Sequence, residues 1–146
     1  MRETHHWLIV ESFENWNIDS NNSFSYYGMK PTREKSASLI QANDLLFVYV
    51  TGNGCFSDVR KATKSGSRRL RMGGDYLDAF PLCIDTAPVL TLTPEQWVPF
   101  SELRSQLSFT KDKVDWRQVF RTPQRLLSKD DASLIEEAIK RRLNEK

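Results

Sequence analysis

Two sets of side chains in this sequence have the chemistry to hold a planar, negatively charged ligand. The aromatic set stands at positions that resemble loops or turns more than sheet core: Trp16, Tyr26, Tyr27, Trp116 and Phe120. The basic set has no acidic residue within it: Arg60, Lys61, Lys64, Arg68, Arg69 and Arg71. Aromatic faces stack nucleic-acid bases, and lysines and arginines neutralise phosphates. Together the two sets favour nucleic-acid binding, with phosphates on the basic residues and one base taken into an aromatic pocket.

Each set also has a purely structural interpretation. Trp7 lies in an apolar run and is expected in the core, whereas Trp16 and Trp116 fit core and pocket equally well. Tyr26 and Tyr27 are adjacent, so in an extended segment only one of them faces inward. The basic residues are also compatible with a solvated loop. The composition alone therefore suggests a binding site without specifying one.

The sequence offers little that points to catalysis. The Gly52–Gly54 pair is too short for a phosphate-binding loop, and no serine stands in a nucleophile-elbow pattern. His5 and His6 lack further metal ligands at a suitable spacing, and Cys55 and Cys83 are expected to be free, buried thiols. We therefore expect a binding domain that is not an enzyme and needs neither a metal nor a cofactor.

Bulk properties set wider limits. The chain has 146 residues and a net charge of +2, which favours one domain over residues 1–146 and leaves the overall charge only mildly basic. No apolar stretch is long enough to cross a bilayer, and the polar start does not resemble a signal peptide. A cytoplasmic protein with no membrane partner is expected.

Apolar runs and turn residues predict the strands. His6–Glu11 and Leu45–Val50 carry the strongest signals, because each is a short continuous apolar run. Residues 51–54 are typical of a hairpin connection, from which 55–59 returns as a strand, and 61–74 resembles an exposed loop. A long strand, or two strands interrupted at Pro88, is expected over 80–92.

Helices are expected around these strands. Ser12 and Ser128 are candidate caps for a short helix over 14–18 and for an amphipathic helix near the end of the sequence. Further helical segments are predicted over 32–40, 100–107 and 116–120. The strands follow one another too closely for repeated crossover helices. The order therefore favours an α+β fold, with a mixed sheet curled into a partial barrel and helices outside it.

Several short motifs are spread along the chain, and they are His6-Trp-Leu-Ile-Val10, Glu14-Asn-Trp16, Tyr27-Gly-Met-Lys30, Gln41-Ala-Asn-Asp44 running into the strand to Val50, Phe109-Thr-Lys-Asp-Lys-Val-Asp-Trp116, and Ser128-Lys-Asp-Asp131. Their order resembles the EVE family, a member of the PUA-like group that also contains YTH domains. The resemblance implies a barrel-like sheet of five to six strands surrounded by helices. It also implies a pocket for a flipped or unpaired base, often a modified one.

By position, the resemblance places Trp16, Tyr27, Gly28, Lys30, Trp116, Phe120 and Arg121 around that pocket. Tyr27 and Trp16 would be walls that stack the base, and the backbone near Gly28 would approach the edge of the base. Lys30 and Arg121 would hold the flanking phosphate or polar edge atoms. Family members occur alone and fused to nucleases, so a nuclease on another chain is a candidate partner.

Two other classes of function fit the sequence. One is a domain that binds, or acts on, a small molecule or free nucleotide. The other is a structural or protein-interaction module whose aromatic side chains all belong to the core. The leading hypothesis fits DNA and RNA equally, and it leaves the base modification open.

Overall fold

A computed structural model describes residues 3–69, 80–112 and 116–145. The strands are His6–Glu11 (β1), Tyr26–Met29 (β2), Leu45–Val50 (β3), Cys55–Ala62 (β4), Arg68–Arg69 (β5), Leu82–Thr91 (β6), Val98–Pro99 (β7) and Gln124–Leu127 (β8). The α-helices are Phe13–Asn21 (α1), Glu34–Ser38 (α2) and Lys129–Asn144 (α3). Short 3-10 helices cover Pro31–Arg33, Pro94–Gln96, Phe100–Glu102 and Trp116–Arg121.

Six of the described strands form a mixed sheet in the order β2-β6-β4-β3-β1-β8, and the two-residue strands β5 and β7 pair with β6 and β4. The β1–β3 pair is parallel and the other neighbours are antiparallel. β1 and β3 lie inside the sheet and are buried almost throughout, as their continuous apolar runs predict. The curled half-barrel confirms the predicted α+β fold class.

The caps of two helices also follow the sequence. The Ser12 hydroxyl accepts a hydrogen bond from the Asn15 backbone N–H at 3.1 Å, and Ser128 accepts from the Asp131 N–H at 3.1 Å. Each bond satisfies a backbone donor that the first helical turn leaves unpaired. No helix within the described ranges is long and apolar enough to cross a membrane.

Three predicted elements differ from the structure. The exposed loop expected over 61–74 is wrong in part, because residues 61–62 belong to β4 and Arg68–Arg69 form β5. The helix expected over 100–107 is wrong beyond its first turn, because Leu103 and Gln106 close tight turns by bonding to backbone oxygens three residues earlier. The strand expected over 55–59 continues to Ala62, which is buried. Pro88 does not interrupt β6, because it pairs with Arg60 beside a register shift, where a ladder hydrogen bond is dispensable.

Candidate functional site

A cavity of about 310 Å³ opens where five distant segments of the chain meet. The end of β1 and the start of α1 form one side, and β2 with the residues after it forms another. Thr51 in the turn after β3, Phe80 before β6, and Phe120, Arg121 and Pro123 complete the described lining. The curl of the sheet brings β1 and β2 to one cavity although they are not neighbours in the strand order. The volume lies at the lower end of the range for small-ligand sites.

Three aromatic side chains line this cavity, namely Tyr27, Phe80 and Phe120. Tyr27 is 5% exposed, and burial, with the nearby Glu11 and Asp19 carboxyl groups, raises the pKa of its phenol well above the ordinary value. Tyr27 therefore remains a neutral hydrogen-bonding group. Phe120 is also buried, and its ring stacks on Tyr49 with the centroids 3.8 Å apart. These walls are held in place by packing, as a rigid aromatic site requires.

Three cations lie at the mouth of the cavity. Lys30, Arg33 and Arg121 line it and are exposed. Within residues 3–69, 80–112 and 116–145 none of the three forms an ion pair. Lys30 and Arg121 were predicted from the resemblance, whereas Arg33 was missed because it falls within a predicted helix. The mouth therefore carries positive charge that is available to a phosphate group.

Asn15 supplies a polar group that the sequence analysis also missed. It is half-buried, lines the cavity, and its side-chain amide forms no hydrogen bond to any part of the chain that the structure describes. An amide offers both donors and an acceptor, the combination that recognises the edge of a base. The Ser12 cap fixes the position of Asn15 in the first turn of α1, but the face of α1 that meets the cavity is set by tertiary packing.

Trp16 does not line the cavity, so its predicted role as a wall that stacks a base is wrong. The ring is 5% exposed and lies 4.9 Å from the Trp97 ring, and its indole N–H donates to Asp58 at 3.0 Å. One residue along a helix turns the side chain by about 100°. Asn15 therefore lines the cavity, while Trp16 packs into the core.

The other predicted pocket residues separate into two groups. Tyr27, Gly28, Lys30, Phe120 and Arg121 line the cavity. Tyr26 does not line it, because alternate residues of β2 point to opposite faces of the sheet. Trp116 lines a neighbouring cavity instead.

Arg60 cannot bind phosphate, and that prediction is wrong. The side chain is fully buried and forms ion pairs with Asp58 at 2.6 Å, Asp19 at 2.8 Å and Glu11 at 3.0 Å. Burial raises the pKa of Glu11 well above its ordinary value, although the Arg60 charge opposes that effect. Arg60 is therefore the centre of a buried polar cluster, together with three carboxyl groups.

Three of the remaining basic residues lie away from the cavity. Lys61, Lys64 and Arg68 are exposed and do not line it, and Arg68 forms a salt bridge with Asp85 at 2.8 Å. Arg69 belongs to β5, and Arg71 lies outside the described residues. In the described part of the chain, no group of three or more His, Cys, Asp or Glu residues could hold a metal ion.

No protein-family model matches this sequence, and no curated protein matches it. Solved structures do match. A hypothetical protein from Leishmania major has a TM-score of 0.68 at 12% identity, with 97% of this chain and 98% of that chain covered. The YTH domain of the Zygosaccharomyces rouxii MRB1 protein, solved with N6-methyladenosine RNA, has a TM-score of 0.67 at 11% identity, with 95% and 88% covered. The Mmi1 YTH domain in complex with RNA has a TM-score of 0.62 at 11% identity, with 96% and 82% covered.

These similarities show that the chain has the YTH-like α+β fold. The fold brings the five segments of the cavity together and leaves open what the cavity binds.

Proposed function

We propose that this chain is a non-enzymatic reader domain of the EVE type that binds unpaired nucleic acid and holds one modified base in its cavity. The observation that carries the proposal is the composition of the cavity. Buried aromatic rings line it, Asn15 offers its amide, and three cations without ion-pair partners among the described residues stand at its mouth. A planar base with its phosphate is the common ligand that matches all three features.

RNA is the first ligand to test. Two proteins of the same fold are described as complexes with RNA, one of them with N6-methyladenosine RNA. We extend that chemistry to this chain as part of the proposal, with N6-methyladenine as the first modified base to test. The domain would act in the cytoplasm, alone or beside a nuclease supplied by another chain.

A panel of single-stranded RNAs tests the proposal. The strands share one sequence and differ only at a central residue, which is adenine, N6-methyladenine, cytosine, 5-methylcytosine or abasic. Fluorescence anisotropy is expected to show saturable binding and a clear preference for one modified base. The Asn15→Ala variant is expected to lose much of that preference, because a good edge contact contributes about 1–3 kcal/mol of discrimination.

Asn17→Ala is the matched control, since Asn17 is exposed on the same helix and does not line the cavity. It is expected to discriminate like the unchanged chain. Equal affinity for every strand, the abasic one included, would contradict a base-holding cavity. A DNA panel of the same design distinguishes the two nucleic acids.

The three cations at the mouth give a separate prediction. Replacing Lys30, Arg33 and Arg121 together by alanine should weaken binding to all strands alike. The slope of log affinity against log salt should become shallower by about 0.7 for each phosphate of a single strand that the variant no longer neutralises. Arg141→Ala, an exposed residue of α3 that lines neither cavity, serves as the control. An unchanged salt slope in the triple variant would show that these cations do not contact phosphate.

A further inference from the structure

A second cavity, of about 330 Å³, lies directly beside the first. Thr51 and Phe120 line both cavities, so the two share a wall. The rest of the described lining comes from Tyr49, from Gly52 and Gly54 in the turn between β3 and β4, and from the 3-10 helix Trp116–Arg121. A ligand that fills the first cavity therefore has a neighbouring space for its next unit.

The second cavity presents aromatic surface. Phe120 stacks on Tyr49, and Trp116 is half-buried with its ring 4.5 Å from that of Phe100. Burial raises the pKa of Tyr49, so its phenol stays neutral. Trp116 is thus held in place by packing while part of its ring remains accessible, which is what a stacking platform needs.

The charge around this cavity is positive. The Arg117 guanidinium lies 4.7 Å and the Arg104 guanidinium 5.3 Å from the centroid of the Trp116 ring. Arg117 lines the cavity and is exposed, and no acidic residue belongs to the described lining. The combination of a platform with an exposed guanidinium is complementary to a base that carries a phosphate.

The turn beside the platform leaves room for a ligand. Gly52 has a φ of +81°, and a Cβ atom built there would meet nothing within 4 Å. The positive φ, and not a lack of space, therefore favours glycine at this position. Two glycines keep this edge of the cavity free of side chains.

We propose that the second cavity binds the nucleotide that flanks the recognised base, with its base on Trp116 and its phosphate near Arg117. This inference rests on the proposed function and extends it: the ligand is at least a dinucleotide of one strand, and Trp116 is assigned to the flanking nucleotide.

Short ligands test this assignment. For each of the panel bases, three ligands are compared by calorimetry: the 5′-monophosphate, a dinucleotide with a natural adenine neighbour, and a dinucleotide whose neighbour is abasic. The neighbour is placed on the 5′ side and then on the 3′ side. On one side, the natural dinucleotide is expected to bind about 5- to 150-fold more tightly than the abasic one.

Variants locate the effect. Trp116→Ala should reduce the preference for the natural over the abasic dinucleotide, and Arg117→Gln should weaken the binding of both dinucleotides. The affinity for the monophosphate should stay the same in both variants. Arg117 is exposed, so Arg117→Gln is informative even if the tryptophan variant fails to fold. The control variant Arg141→Gln should bind the dinucleotides and the monophosphate as tightly as the unchanged chain does.

Equal affinities for the natural and abasic dinucleotides, with the neighbour on either side, would overturn the assignment of the second cavity to the flanking nucleotide. The proposed reader function would remain intact. A monophosphate that binds more tightly than every dinucleotide would also overturn that assignment, in favour of a free-nucleotide site. If no ligand and no panel strand binds, the proposed function fails and this inference fails with it.

Discussion

Arg60→Met is expected to lower the free energy of unfolding by about 3–5 kcal/mol. The substitution keeps much of the side-chain volume and removes the charge that faces Asp58, Asp19 and Glu11 at 2.6–3.0 Å. Asp58, Asp19 and Glu11 would then lose the cation that they share, and removing one side of a buried ion pair is far more costly than the pair itself contributes. Urea denaturation of both proteins measures the difference.

Arg68→Met is the matched control. Arg68 also forms an ion pair with an aspartate, at 2.8 Å from Asp85, but its side chain is 47% exposed. Exposed pairs contribute about 0–1 kcal/mol, so this variant should unfold at nearly the urea concentration of the unchanged chain. If Arg60→Met lowers the free energy of unfolding no more than Arg68→Met does, the buried cluster does not stabilise the fold.

The same cluster predicts a stability that falls as the pH rises. Burial raises the pKa of Glu11 well above its ordinary value, and it also raises the pKa of Asp19. Above the ordinary glutamate value of about 4.3, the folded chain therefore keeps a proton that the unfolded chain has released. The stability from this group is fully present below that value and is lost as the pH rises through the folded pKa.

The Glu11→Gln variant tests whether Glu11 makes the stability fall as the pH rises. The groups packed around Glu11 are Asp58 and Arg60 of β4, Asp19 of α1 and Tyr27 of β2. Glutamine resembles the protonated acid and does not titrate, so above about pH 4.3 the variant should show a flatter dependence of unfolding free energy on pH. A single group contributes at most about 1.4 kcal/mol per pH unit.

Glu14→Gln, an exposed change on the first turn of α1, should leave the pH dependence as it is in the unchanged chain. The measurement is urea denaturation at several pH values. A Glu11→Gln variant whose stability follows pH with the original slope would mean that Glu11 does not hold a proton in the folded chain.

The parts of the fold that the sequence predicted depend on local patterns. Ser12 and Ser128 were identifiable as caps, because a helix start needs an acceptor for its free N–H groups. The apolar runs of β1 and β3 marked strands buried on both faces. The alternation along β2 showed that Tyr26 and Tyr27 face opposite ways, although not which of them faces the cavity.

What the sequence could not predict depends on tertiary contacts. Nothing near Arg60 shows that acids from β1 and α1 converge on it, so a buried arginine resembled its exposed neighbours. Trp16 and Asn15 are adjacent, and only the packing of α1 decides which of them meets the cavity. Arg33 reaches the mouth because β2 leads into it, which no motif encodes.

The pairing of β1 with β8 has a consequence for how the site forms during folding. These two strands come from opposite ends of the sequence, with His6 opposite Leu127, and residues 120–123 of the first cavity lie immediately before β8. Contacts between such distant segments form slowly, because the long loop between them must close first. During synthesis, a ribosome-bound chain that has not yet released β8 would already contain β1, β2 and β3 while lacking a finished binding site.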